Sequence, residues 1–384
     1  MLALLRAGLW GGTDPDMDKV FPLTQQEWND VFLLSRRQTV LGLTYRGLDF
    51  LADDMQPPMA LAVKWMAHVD RIEAANAKMD KAVCSLFSKF AQNGVDAVLQ
   101  KGQGMARMYP EPHLRECGDI DLYFPGHDGE SDPLEGIFDA QRQKMPDDSW
   151  SYEADGVIIE HHPFLLDIQN PLRQKHIRSL IAEKGFEKVP VGDEDPVEVT
   201  VPAPEVNLLL LSSHILKHAL GVGIGLRQIC DYAVACRYYA DRVDPDEMRE
   251  IWRRTGLYRW SELLDGFVGR FLDSDSVLTR NDRGDFVLAR NDKRNSVLGR
   301  NDRRGSVLAL NDLGEKKSSI LLDIILKGGN FGVYSEDRAK ASHNVMSRKL
   351  HTLRSFAGNI RFALTYAPGE WFWTAAKLLG GQLR

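Results

Sequence analysis

Asp119 and Asp121 stand two residues apart in the run Leu114–Phe124, LRECGDIDLYF, just after Gly118. On an extended strand successive side chains alternate between faces, so both carboxylates project the same way, about 6 to 7 Å apart at Cα. Two negative charges held that close call for a cation. A hard divalent ion such as Mg²⁺ takes oxygen ligands and keeps water positions that substrate phosphates can fill, so an Asp-x-Asp strand end suits phosphoryl or nucleotidyl transfer. Alone, the pair fits a solvated acidic pair on an edge strand better than a metal site.

The flanking segments narrow the choice. Upstream, Val95–Gly104 reads VDAVLQKGQG, an apolar run of strand length that breaks at Lys101-Gly102 and leads into the helix-like MARMY. A strand, glycine turn and helix start present backbone N–H groups to an anion, and Lys101 adds a point charge beside Gly102 and Gln103. Downstream, Val157–His162 reads VIIEHH, a β-branched strand carrying one carboxylate, Glu160. A carboxylate embedded in such a strand is costly unless it is paired or metal-bound, which makes Glu160 a third candidate ligand.

These segments resemble the nucleotidyltransferase superfamily with the DNA polymerase beta type of fold. They are similar, more closely, to a bacterial branch of uncharacterised nucleotidyltransferase-like proteins. The elements that carry the resemblance are Lys101-Gly102, Tyr109-Pro110-Glu111-Pro112, Arg115, the Gly118–Leu122 run GDIDL and Glu160-His161, continuing through Leu208–His218 and Gly223–Cys236. The superfamily's usual Gly-Ser or Gly-Gly turn is replaced here by Gly102-Gln103, with a second glycine at Gly104. The resemblance implies that Asp119, Asp121 and Glu160 hold one or two Mg²⁺ ions. It implies as substrate a nucleoside triphosphate, attacked in line at the α-phosphorus by the hydroxyl of a small-molecule or macromolecular acceptor. Glu160 would be the general base, and Lys101, Gly102, Gln103, Arg115 and Gly118 would meet the nucleotide's phosphates.

Two further candidates lie in a later helical region. His214 and His218 are spaced i, i+4, which puts both imidazoles on one helix face; His214 is read as a nucleotide contact and His218 as a partly buried polar residue. Arg227 follows the glycines Gly223 and Gly225; its guanidinium fork suits phosphate, and an ion pair with Asp231 is the structural alternative.

Composition bounds the class. The chain has 384 residues, 43% hydrophobic and 27% charged, with a net charge of −6 and a pI near 6.0. That balance disfavours a general nucleic-acid binder, although the 336–384 segment is locally basic. Four cysteines, Cys84, Cys117, Cys230 and Cys236, form no CxxC and read as reduced thiols. The start, MLALLRAGLWGG, lacks the basic and apolar regions of a signal peptide, and no run reaches membrane-spanning length. A cytoplasmic protein is expected.

The expected fold is α+β: a small mixed-sheet core flanked by N- and C-terminal helical subdomains. Residues 1–92 read as a helical subdomain, with apolar spacing at Trp28, Val31, Phe32 and Leu33 and at Val63, Trp65, Met66 and Val69, interrupted by Pro57-Pro58. Residues 93–203 form the core, with strands VDAVLQ, DIDLYF, WSYEA, VIIEHH, FEKVPV and VEVTV; Ser131–Met145 reads as loop or helix, with a helix start at Asp132-Pro133. Residues 204–274 return to helix. Residues 275–316 hold a ten-residue tandem repeat, SVLTRNDRGD, FVLARNDKRN, SVLGRNDRRG and SVLALNDLGE. It reads as a tolerated surface insertion of turns, with a small β-solenoid as the alternative. Residues 317–384 form a C-terminal helical segment with a basic helix around Val345–Leu364, and Trp371, Phe372 and Trp373 are expected to be buried in a docked terminal helix.

Three rivals to an active nucleotidyltransferase remain at this stage. One is a catalytically inactive scaffold or regulator with the same fold, and another is a toxin-like enzyme that modifies RNA ends. A kinase-like phosphotransferase is weaker, since no P-loop or kinase signature is present.

Overall fold

The computed structural model describes residues 1–127, 142–145, 149–154, 156–192, 195–221, 223–272, 278–280, 286–288, 320–326 and 359–382. It divides into two compact units: Met1–Asp167 with Arg178–Leu210, and Ile168–Ile177 with Leu211–Arg384. The chain is α+β, combining helices with a mixed five-stranded sheet.

The first unit opens with helices α1 (Leu2–Trp10), α2 (Met17–Val20), α3 (Gln25–Arg37), α4 (Leu41–Arg46) and the long α5 (Met59–Asn93). Sequence signals set their ends. Thr24 and Glu27 form a reciprocal capping box at the start of α3. Pro58 sits at the N-cap of α5, and Gly94 closes that helix in the left-handed conformation that glycine adopts freely. Along α5, Leu61, Trp65 and Val69 and then Met79, Val83, Leu86 and Phe90 are buried at three- and four-residue spacing. Val63 and Met66, expected on that apolar face, are exposed instead, as is Leu33 on α3; each lies to one side of the buried stripe of its helix.

The five-stranded sheet has the order β1-β2-β5-β4-β3, built from β1 (Val98–Leu99), β2 (Asp119–Tyr123), β3 (Arg142–Lys144), β4 (Trp150–Ala154) and β5 (Val157–His162). β2 and β5 run parallel and the other neighbours antiparallel, so the sheet is mixed as expected. Strands β6 (Phe186–Val191) and β7 (Val197–Pro202) form a separate hairpin. Strand β3 corrects the reading of Ser131–Met145 as loop or helix at its C-terminal end, because Arg142–Lys144 finds an open edge on β4. The helix start at Asp132-Pro133 lies outside the described residues.

One face of the sheet makes the core. Ile120, Leu122, Phe124, Tyr152, Val157 and Ile159 pack with Val83, Leu86, Phe87 and Phe90 of α5 and with Val189, Val191, Val199 and Val201 of the hairpin. Each such apolar side chain contributes about 1.5 to 3 kcal/mol on burial. The alternation that buries these residues sends their neighbours to the opposite face.

The lead-in to β2 is tied to the helices. Asn76 of α5 donates from Nδ2 to the carbonyls of His113 at 2.6 Å and Arg115 at 2.9 Å. The backbone N–H of Leu41 donates to Glu116 Oε1 at 3.0 Å, and at Gly42 an added Cβ would fall 2.4 Å from the Leu114 carbonyl oxygen. Only a residue without a side chain fits there.

Helices α7 (Gln174–Lys184) and α8 (Pro204–Leu220) follow in the chain, and the second unit is helical over α9 (Leu226–Tyr238), α10 (Pro245–Thr255), α11 (Tyr258–Phe271), residues 320–326, Ile360–Tyr366 and Pro368–Gln382. Tyr232 donates its hydroxyl to the buried Asp265 at 2.7 Å, and Trp260 donates to the Ser212 carbonyl at 3.0 Å. The first two repeat units contribute paired three-residue strands, Leu278–Arg280 and Phe286–Leu288; the rest of Ser276–Glu315 and residues 345–358 lie outside the described residues. In the terminal helix Phe372 is exposed, and Trp371 and Trp373 are only half-buried, which corrects the expectation that all three are buried. Glu370 is the buried residue there, accepting from the Gln169 N–H at 2.6 Å.

Candidate active site

The parallel register of β2 and β5 decides which groups meet. Asp121 lies directly opposite Glu160, and Tyr123 opposite His162. Residues in register on parallel neighbours point to the same side, so Asp119, Asp121, Glu160 and His162 share the face opposite the core. Ser151 of β4, in register with Glu160, extends that face.

At its centre Asp121 is buried. The Nζ of Lys101 stands 3.2 Å from its Oδ1, and the Nε2 of His162 lies 2.6 Å from the same oxygen and 3.7 Å from Glu160 Oε2. Burial alone lowers the affinity of the Lys101 ammonium for its proton. The negative charges of Asp121, Asp167 and Asp119 outweigh that effect, and its pKa is raised. Burial pushes the Glu160 carboxyl up, and the nearby charges of Asp119 and Asp121 push it further; His162 and Lys101 oppose them. The face therefore carries more carboxylate than its own cations balance.

Gly102 makes the turn between β1 and α6 (Gln103–Ala106), with φ 58° and ψ −121°. A side chain strains that backbone, and its Cβ would lie 3.3 Å from the Asp119 carbonyl oxygen. Glycine thus lets the turn pass close beside the start of β2 while Lys101 reaches Asp121.

Asp121, Glu160 and His162 each offer one ligand atom, all within 4.8 Å of one another. Two carboxylate oxygens and an imidazole nitrogen form a donor set that fits a divalent cation. Asp119 lies on the same face, close enough for its charge to act on both Glu160 and Lys101.

The other expected residues fall in several places. The side chain of Gln103 turns into the protein, where its Nε2 donates to Asp80 Oδ1 at 2.6 Å and to the Asn76 carbonyl at 3.4 Å, leaving its backbone as what it offers a phosphate. Arg115 is buried, donating from Nη1 to Cys117 Sγ at 2.7 Å and to the Glu116 carbonyl at 3.4 Å. Gly118 is exposed, with open space beside its Cα. His214 and Arg227 belong to the second unit. His214 packs edge-on against His218 with ring centroids 4.5 Å apart, and Arg227 opens α9.

Two groups on or near the face escaped the sequence reading. His162 was legible in VIIEHH, because the two-residue period that places Glu160 outward places His162 with it. His161, quoted in the resemblance, faces the core against Phe124, with centroids 4.7 Å apart. Asp167 follows β5 in a segment without regular structure, where no periodicity marks it.

Neither the curated proteins nor the solved structures contain a significant match to the chain. The sequence model of the family described as uncharacterised nucleotidyltransferase matches residues 24–272, a span that holds α5, the five-stranded sheet, the β6–β7 hairpin and every candidate site residue. The chain belongs to that nucleotidyltransferase family and is a transferase enzyme.

Proposed function

We propose that the chain moves a nucleoside monophosphate from a nucleoside triphosphate to a hydroxyl-bearing acceptor, using a divalent cation held by Asp119, Asp121 and Glu160, with His162 beside them. The observation that carries this reading is the register of Asp121 with Glu160 on one polar face, with Lys101 against them. The cation, Mg²⁺ by the resemblance, supplies Lewis-acid stabilisation of phosphate charge when bound.

The chain's own groups divide the remaining work. Glu160, whose carboxyl is held above its ordinary pKa, is suited to take the proton of the acceptor hydroxyl. Lys101 keeps its proton and offers a fixed positive charge to the triphosphate once the cation takes over Asp121. The Gly102 turn lets backbone approach the phosphates without a side chain in the way, and Gly118 does the same before β2. Arg115 supplies charge by exchanging its bonds to Cys117 and Glu116 for phosphate oxygens. His214 and Arg227 are proposed as nucleotide contacts from their residue types. Among the described residues no helix is long and apolar enough to cross a membrane, and the four cysteines are free; we place the protein in the cytoplasm.

The test is incubation of the full chain with each labelled nucleoside triphosphate, divalent metal and a cell extract, followed by a search for labelled product. Transfer by wild type and none by Asp121→Asn supports the reading. Equal labelling by both proteins refutes it.

A further inference from the structure

We infer that His162 makes this centre selective for a transition-metal divalent cation, Mn²⁺ in preference to Mg²⁺. The inference deepens the proposed function and rests on its reading of this face as the cation site. Three observations carry it. The β2–β5 register puts His162 on the carboxylate face, two residues after Glu160. Its Nε2 is directed into the gap between the carboxylates, 2.6 Å from Asp121 Oδ1 and 3.7 Å from Glu160 Oε2. The next residue back in the chain, His161, takes the opposite, core side against Phe124, so the alternation of β5 commits His162 to the carboxylate face.

The selectivity follows from donor chemistry. Mg²⁺ demands oxygen ligands and gives up its waters reluctantly, whereas imidazole nitrogen suits transition metals. Mn²⁺ shares the oxygen-rich octahedral shell of Mg²⁺, and as a d-block ion it accepts an imidazole nitrogen more readily than Mg²⁺ does. To ligate, Nε2 gives up its hydrogen bond with Asp121 and presents its lone pair, with the ring proton on Nδ1. A site of carboxylates alone has no comparable means of telling the two ions apart.

The experiment uses the full chain with Mn²⁺ alone and no nucleotide. Pulsed electron paramagnetic resonance should detect nitrogen-14 coupling from one imidazole on the bound ion. His162→Ala should abolish that coupling and weaken Mn²⁺ binding by about tenfold or more, since even outer-sphere changes cost that much. Mg²⁺ affinity, read by competition, should change by no more than about threefold, because its oxygen ligands remain. His162→Gln restores an oxygen donor and should recover part of the binding without the nitrogen signal. Circular dichroism checks that both variants are folded. Absence of Mn²⁺ binding, absence of nitrogen coupling in wild type, or coupling that persists in His162→Ala overturns the inference. A chain that ligates Mn²⁺ through His162 yet transfers no nucleotide would overturn the proposed function and leave this inference standing.

Discussion

The ammonium of Lys101 and the carboxylate of Asp121 face each other at 3.2 Å, in a setting where both side chains are largely shielded from water. Breaking a buried pair by removing one partner leaves the other charge uncompensated and costs about 3 to 5 kcal/mol. The neighbouring groups divide the outcome unequally. Lys101→Met leaves Asp121 with His162 still hydrogen-bonded to it, so the expected loss is toward the lower end, read by denaturant unfolding. In transfer assays the same variant should raise KM for the nucleotide.

Asp121→Asn keeps the shape and removes the charge. Nucleotide transfer should fall below detection, and the protein should lose stability yet stay folded, because Asp119 and Asp167 still act on the Lys101 charge. Near-normal turnover by a folded Asp121→Asn protein would remove this carboxylate from the chemistry.

Gly102→Ala tests the turn. A non-glycine residue at φ 58°, ψ −121° costs about 1 to 3 kcal/mol, and the new methyl group would press on the Asp119 carbonyl. A small loss of stability with a much larger loss of transfer is expected. Comparison of unfolding free energy with kcat/KM checks it.

Asn76→Ala removes both donors that hold the carbonyls of His113 and Arg115. Leaving buried acceptors unpaired costs about 1 to 3 kcal/mol each. Hydrogen exchange should quicken in residues 113–118 ahead of the global unfolding rate. Uniform exchange across the chain would show that this tie is not what holds the lead-in to β2.

Asp265 gives a pH dependence with a definite sign. Burial raises its carboxyl from an ordinary 3.8 to about 7, against the lowering effect of the Tyr232 hydroxyl; the charge of Glu262 adds to the rise. The folded state therefore holds this proton more tightly than the unfolded chain does. Its contribution is complete below about pH 4 and is lost as pH rises to about 7. Asp265→Asn keeps an acceptor for Tyr232 without the ionisation, so its melting temperature should gain on wild type as pH rises from about 4 to about 7. Parallel melting curves over that range would contradict the assignment.

Much of this architecture was legible in the residues, for specific reasons. β4, β5 and β6 match the expected runs because β-branched and aromatic residues alternate there between clear turn signals. Asp119 and Asp121 were placed on a common face by the two-residue period, Glu160 was a candidate from its embedded carboxylate, and the register of β2 with β5 puts Asp121 beside Glu160. Strand pairing itself was not readable, since nothing local says that β2 lies between β1 and β5. The inward turn of Gln103 depends on Asp80, 23 residues earlier, and no local pattern reports a partner at that distance. β1 is shorter than its apolar run, because only Val98 and Leu99 find a partner on β2. The outward position of Val63 and Met66 reflects the choice between two offset apolar stripes on α5, which the burial of Leu61, Trp65 and Val69 resolves.

The 35-residue helix α5 serves two tasks that are separate in many proteins: it fills the underside of the sheet and fastens the approach to β2. The sheet is consequently not a portable module. Transplanting the carboxylate face into another scaffold means carrying that helix along, and a chain trimmed to begin at residue 93 would forfeit Val83, Leu86, Phe87 and Phe90 together with the anchor at Asn76.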